Sequence, residues 1–209
     1  PNTSYEFNLD KARATLDEAG WAQDGSVRKK DGVELNIAYA TTINAVRQKT
    51  QAVNKKNWEE IGIKVQLKQV DAGIFFDSSV GNDQNLAHFY YDITMYTDNA
   101  TSPFPVSYMK GWYGGPNREN ISQKSNSWVG NGSRWSDPEY DALFDSLAAE
   151  TDAERAAETF IKLNDILISG NIVIPIVQRA AESYALSNNI NNDMIVTSSW
   201  EVLYWNMAN

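Results

Sequence analysis

Two alternating stretches flank a helical one: Glu34-Leu35-Asn36-Ile37-Ala38-Tyr39-Ala40, then residues 44–61, then Ile63-Lys64-Val65-Gln66-Leu67-Lys68-Gln69-Val70. In the first, Leu35, Ile37 and Tyr39 alternate with Glu34, Asn36 and Ala38, the period of a strand with one buried face. In the middle, Val46, Thr50, Val53, Trp58 and Ile61 follow helical spacing, and Gly62 ends the run. In the third, Ile63, Val65 and Leu67 alternate with Lys64, Gln66 and Lys68. Strand, helix, strand in this order is a right-handed crossover joining parallel strands, so the chain reads as α/β.

On the N-terminal side, Leu9, Ala12, Leu16 and Ala19 make one apolar helical stripe. Asn8 or Asp10 is positioned to cap it, and Gly20 closes it. Asp24-Gly25 and Asp31-Gly32 are hairpin-type dipeptides. On the C-terminal side, Asp71 to Val80 reads as a short helix and Asp92 to Tyr96 as a strand. Two helices then open on capping-box spacings, Ser136-Asp137-Pro138-Glu139 and Thr151-Asp152-Ala153-Glu154. Tyr140, Leu143, Phe144 and Leu147 form the buried stripe of the first. Ala156, Ala157, Phe160, Ile161, Asn164 and Leu167 follow in the second, which Gly170 stops. Asn171 to Val177 reads as an apolar strand bent at Pro175. The tail from Trp200 to Trp205 alternates weakly.

Composition narrows the function. The 209 residues carry 18 Lys+Arg against 27 Asp+Glu, a net charge of −9. Such a chain has no broad basic footprint for phosphates, so no nucleic-acid partner is expected. There are no cysteines, which excludes thiolate catalysis, disulfides and cysteine-held metals. The single histidine, His88, rules out a two-histidine zinc site. With no GxSxG elbow in the chain, His88 reads as a hydrogen-bonded structural residue. No Walker A or GxGxxG motif is present, and no carboxylate spacing singles out a glycosidase pair. No apolar run reaches the ~18 residues of a membrane span. Pro1-Asn2-Thr3-Ser4-Tyr5 has none of the regions of a signal peptide.

The informative region is residues 97–135, irregular but rich in aromatics: Phe104, Tyr108, Trp112, Tyr113, Trp128 and Trp135. Disordered segments are poor in such residues. Trp112, Tyr113 and Trp128, flanked by Gly and Asn, fit a sugar- or peptide-binding cleft and core packing equally well.

End to end, the landmarks resemble one family. Tyr5, Ala12, Leu16 and Glu18-Ala19-Gly20-Trp21 look like the "Y-x-x-x-x-A-x-x-L-L-x-E-A-G-W" helix of extracellular solute-binding proteins of the peptide/nickel type, which serve ABC importers. Ile61-Gly62-Ile63-Lys64-Val65 is similar to that family's "I-G-I-x-V", Tyr91-Asp92 to its "Y-D" strand, and Ser136-Asp137-Pro138-Glu139-Tyr140-Asp141 to its "S-N-P-E-x-D". Arg155 and Ile174-Pro175-Ile176 match later landmarks. The resemblance implies the second lobe of a longer two-lobe receptor. It would be a single α/β ligand-binding lobe over 1–209 of the type II periplasmic-binding-protein kind, with a mixed, mainly parallel sheet flanked by helices and a cleft loop over 97–135. In peptide-binding members a "W-x-x-D-Y-x-x-P" stretch lines the cleft, and its Asp pairs with the peptide ammonium. Here Asp98 matches that acid, with Tyr96 beside it, while Met95 stands for the Trp and Pro103 falls one residue late.

The resulting expectation is a monomeric, non-enzymatic lobe that needs no cofactor or metal. It would capture an oligopeptide or oligosaccharide by closing on the receptor's N-terminal lobe, and would deliver it to an ABC permease. The location would be extracytoplasmic, periplasmic or lipid-anchored at the outer face of the cytoplasmic membrane. The candidate ligand-binding residues are Asp98, Tyr96, Trp112, Tyr113 and Trp128. The competing expectation is a carbohydrate-binding module or a polysaccharide-degrading domain, which would place a carboxylate pair in the aromatic cleft.

Overall fold

The computed structural model describes residues 5–98, 105–124 and 126–177, together with the backbone at 190–191 and 206–207. The chain divides into two compact units, residues 1–172 and 173–209.

The first unit begins with α1 (Leu9–Glu18). The Asn8 carboxamide caps it by accepting the Lys11 N–H. Three short strands follow as an antiparallel meander: β1 (Ala22–Asp24), β2 (Val27–Lys30) and β3 (Val33–Glu34). The turn between β2 and β3 is the two-residue pair Asp31 and Gly32, both at positive φ (51° and 79°). That geometry matches the twist of the flanking strands, which explains the Asp-Gly dipeptide.

The crossover is present as read. Strand β4 (Asn36–Thr42), helix α2 (Ala45–Glu60, capped by Asn44) and strand β5 (Lys64–Val70) form one unit. β4 and β5 run parallel in the register Tyr39 to Leu67. Strand β6 (Ile93–Met95) lies parallel on the other side of β4, giving the order β5-β4-β6. Asp92 fixes the start of β6, since its carboxylate accepts the Ala38 N–H at 2.7 Å. Ala40, Val70 and Phe75 form the core behind the sheet, with Leu86 and Tyr91 packed on it.

The expected apolar stripe of α2 holds at its C-terminal end, where Ile61 is buried, and fails at its valines. Val46 and Val53 are 73% and 59% exposed, while Gln51 is fully buried. Hydrogen bonding sets the rotation of the helix. Gln51 donates to the Tyr39 and Lys68 carbonyls (2.8 and 3.3 Å), Asn54 to the Tyr39 hydroxyl, and Lys55 to the Val65 carbonyl. Turned to make these bonds, the helix carries its valines outward. Trp58 still packs on Tyr39, with ring centroids 5.3 Å apart.

The expected helix over 71–80 shrinks to α3 (Ala72–Phe75). Beyond it, Asn82 and Asn85 tie residues 76–88 into a loop by bonding the Ile74 and Asp77 carbonyls. A one-turn helix, α4 (Val106–Met109), lies within the aromatic region and runs into a 3₁₀ turn, Lys110–Trp112. Helices α5 (Pro138–Ser146) and α6 (Ala153–Ser169) follow. Their N-caps are Asp137 and Asp152, one residue later than the serine and threonine of the capping-box reading. Met109, Tyr140, Phe160, Leu163 and Leu167 make the second core. Ile161, placed on the buried stripe by its spacing, is 56% exposed.

Asn171 to Val177 is not a strand. The α6 terminus turns back on itself there: Asn171 sits at φ 56°, and the Ile172 N–H bonds the Leu167 carbonyl. Ile172 then packs on the second core and serves helix termination, while Ile174, Ile176 and Val177 are exposed. The expected tail alternation at 200–205 lies outside the described residues. In the second unit, β7 (Ile190–Asn191) pairs antiparallel with β8 (Asn206–Met207).

Gly62 shows how tightly the crossover is joined to the meander. It sits at φ +89°, and a Cβ there would stand 2.5 Å from the Gln23 Oε1 and 2.8 Å from the Arg28 Cγ. A left-handed alanine costs about 1–2 kcal/mol, and the buried Arg28 cannot withdraw. Gly62→Ala is therefore expected to lose at least about 2 kcal/mol in urea denaturation. A loss under about 0.5 kcal/mol would show that the junction is slack.

Candidate functional site

In a parallel sheet, ligands bind outside the carboxyl ends of the strands, where the strand order reverses. Here β4 is central and the chain steps first to β5 and then to β6, so that point lies between β4 and β6. The carboxyl ends of those two strands are Thr42 and Met95. Tyr96, Thr97 and Asp98 follow β6 directly.

Arg47, in the first turn of α2, spans this point. Its Nε donates to the Thr42 Oγ1 at 2.9 Å and its Nη1 to the Thr97 Oγ1 at 3.2 Å. A guanidinium is thus fixed one residue from Asp98, and both charges belong to the same edge of the sheet. Asp98 is exposed. Its charge is felt by two phenols. Burial around the hydroxyl pushes Tyr96 up from its ordinary value, and Asp98 and then Tyr108 add to the shift. Burial, then Asp98, does the same to Tyr108.

These phenols belong to a line of rings. Phe76 meets Tyr96 edge-on at 6.4 Å, and Tyr108 meets Trp112 at 5.0 Å and 62°. Phe76 is 50% exposed and Tyr96 41%, while Trp112 is half-buried against the second core. Ile43 (64%) at the end of β4 and Ile74 (43%) on α3 add exposed apolar surface beside the strand ends. The arrangement offers an anion, a cation and ring faces to one ligand.

Of the five residues singled out in the sequence, the charge of Asp98 reaches Tyr96 and Tyr108, and Tyr108 stacks edge-on against Trp112. Tyr113 is directed elsewhere. Its ring lies 4.8 Å from Phe144, and its hydroxyl donates to Asp145 at 2.6 Å. That bond is the main reason its phenol is pushed up to about 12. Trp128 is 52% exposed, and its indole donates to the Gly130 carbonyl within its own loop. Asn131, fully buried, joins that loop to the rest by donating to the carbonyls of Trp112 and Trp135.

Sequence reading missed Arg47 and Phe76, and named Tyr108 only among the aromatics of 97–135. The available signal was the strand-to-helix joint Thr41-Thr42-Ile43-Asn44, which puts the first turn of α2 at the end of β4. His88 is fully buried with its Nδ1 2.7 Å from the Asn82 carbonyl, the structural role expected of it. Among the described residues no cluster of three His, Asp or Glu could hold a metal ion. No helix among them is long and apolar enough to cross a membrane.

Residues 1–120 match the family model described as bacterial extracellular solute-binding proteins, family 5 Middle. The oligopeptide-binding protein OppA of Lactococcus lactis subsp. lactis (strain IL1403) is 43% identical over 63 residues, covering 29% of this chain and 10% of that protein. Among solved structures, the Bacillus subtilis oligopeptide-binding protein AppA in complex with a nonapeptide superposes with a TM-score of 0.67. It is 17% identical, covering 100% of this chain and 39% of that one. A mannohexaose-bound periplasmic oligopeptide-binding protein from Thermotoga maritima gives a TM-score of 0.60 at 21% identity, covering 78% of this chain and 29% of that one. These structural likenesses show the fold, that of periplasmic binding proteins. The chain spans well under half the length of each of these three relatives.

Proposed function

The chain belongs to the bacterial extracellular solute-binding proteins of family 5, and on that footing we propose that it is one lobe of a receptor that captures oligopeptides for an ABC importer. One observation carries the reading: Asp98 and Arg47 stand at the β4/β6 switch point with a line of rings beside them. A desolvated ammonium needs a carboxylate partner, which Asp98 supplies. Arg47 offers the opposite charge to a carboxylate of the same ligand, and Phe76, Tyr96 and Tyr108 offer apolar faces. In this reading 97–135 forms part of the cleft wall. An N-terminal lobe closes over the solute from the other side and excludes water, and the closed monomer delivers the solute to a membrane permease. The receptor works outside the cytoplasmic membrane, and its role is capture rather than catalysis.

Titration calorimetry of the whole receptor with a free-amine tripeptide tests this. Asp98→Asn is expected to cost about 2–5 kcal/mol of binding. N-acetylation of the tripeptide should cost a similar amount, and the melting temperature should hold because Asp98 is exposed. Unchanged affinity on both counts would overturn the peptide reading. The Thermotoga relative holds mannohexaose, and the rings beside Asp98 would equally stack on a sugar. If the solute is an oligosaccharide, Asp98→Asn removes one hydroxyl contact and costs only about 1 kcal/mol.

A further inference from the structure

Three buried side-chain nitrogens among the described residues lack a hydrogen-bond partner: Nε and Nη2 of Arg134, and Nε2 of His88. All three fall where two loops meet. The Asn126 N–H bonds the His88 carbonyl at 3.1 Å. A Cβ on Gly132 would stand 2.8 Å from the Ala87 Cβ. The Arg134 guanidinium carbon lies 3.6 Å from the centroid of the Phe89 ring. Both Phe89 (φ 64°) and Arg134 (φ 58°) hold left-handed backbone, which bulky residues seldom adopt without a compensating interaction.

The pattern of unmet nitrogens is specific. Nε–H and the adjacent Nη2–H point the same way in the plane of the guanidinium and form its side-on fork, which matches the two oxygens of a carboxylate. Phe89 covers one face of the plane, so an acceptor must approach in the plane, along that fork. In the same chain Arg13, Arg28 and Arg155 each pair with one of its own acids, Asp10, Asp17 and Glu150. Arg134 is partly exposed, but two of its three guanidinium nitrogens are enclosed with no acceptor, which is costly. At His88 the carbonyl of Asn82 accepts, so Nδ1 carries the proton and Nε2 is left as a second unmet polar atom, fully buried at the same junction.

We infer that Arg134 is the centre of a carboxylate site at the junction of residues 88–89 with residues 126–134. The carboxylate lies in the guanidinium plane on its Nε/Nη2 edge, and because both nitrogens are enclosed the two loops part locally to admit it. Its source is either a small organic acid or the carboxylate of a bound peptide. Both share the chemistry that the fork reads. The inference uses none of the residues around Asp98, so its failure would leave the peptide reading standing; its peptide source rests on that reading and would be a carboxylate other than the one facing Arg47, so failure of that reading would leave the small acid as the source.

The test is an NMR titration of the full 209-residue chain, ¹⁵N-labelled, reading arginine Nε–H resonances. Arg134→Lys, which keeps the charge but lacks the fork, identifies the signal. Sodium acetate should shift the Arg134 resonance to saturation, while sodium chloride at equal ionic strength should leave it in place. The lysine variant should show no acetate-dependent change in its remaining arginine signals. If that variant does not fold, the melting temperature of the unmodified chain replaces it: acetate should raise it above the value in equal chloride. A tripeptide and its C-terminal amide then separate the sources. Given an acetate response, a shift by the free-acid tripeptide and not by its amide makes the source a peptide, and a shift by neither tripeptide makes it a small acid. An acetate response no larger than the chloride response would overturn the site.

Discussion

Replacing Arg28 by methionine is expected to remove about 2–5 kcal/mol of folding stability. The side chain is 3% exposed, and its guanidinium holds three separate pieces of the chain. Nε donates to the Ile61 carbonyl at the end of α2, and Nη1 donates to the Trp21 carbonyl before β1 and to the Asp17 carboxylate on α1. Methionine fills much of the same volume, so cavity formation is a small part of the effect. What remains is two carbonyls losing charge-assisted donors. Asp17, 60% exposed in its side chain, recovers water. Arg28→Lys keeps the charge but cannot reach all three acceptors with one ammonium, and should fall between the two. Urea denaturation measures both. A methionine variant within about 1 kcal/mol of the parent would show that α1 and the meander are held by other contacts.

Tyr140→Ala is expected to cost about 3–5 kcal/mol, and Tyr140→Phe about 1–2 kcal/mol. The ring is fully buried in the second core with Trp135 edge-on at 5.2 Å, and the hydroxyl donates to the Met109 carbonyl at 2.6 Å. Alanine loses packing and hydrogen bond together. Phenylalanine keeps the packing and strands one carbonyl of the α4 turn, the turn that carries Tyr108 and leads to Trp112. The difference between the two variants separates the ring from the hydroxyl. Equal losses in thermal denaturation would mean that the hydroxyl alone fastens α4 to α5.

Features governed by near neighbours were readable from the chain. Asn8, Asp24-Gly25, Asp31-Gly32 and Asn44 act within a few residues of themselves, and their chemistry is the same in any context. Strand β5 keeps its alternation because one of its faces is exposed, whereas central β4 alternates in sequence but is buried on both faces from Tyr39 to Thr42. The face of α2 was not readable, because Gln51 and Asn54 find acceptors on strands that residue spacing alone cannot place. Ile172 is apolar for a local reason, covering the end of α6, and an apolar run does not announce which use each of its residues serves. The candidate site was half legible. Asp98 and Tyr96 came from resemblance, whereas Arg47, Phe76 and Tyr108 join them only because the sheet order brings three strand ends together.

Gln51 has a consequence that reaches the site. Apolar seams tolerate sliding, since dispersion contacts re-form after small shifts. An amide shared between the carbonyls of Tyr39 and Lys68 tolerates much less, because a quarter-turn of the helix would leave it buried and unmet. Arg47 lies four residues earlier on the same face of α2. Gln51 thus serves as an indexing pin. It sets the angle at which the helix is mounted, and the cation at the sheet edge takes its aim from a neutral amide one turn away.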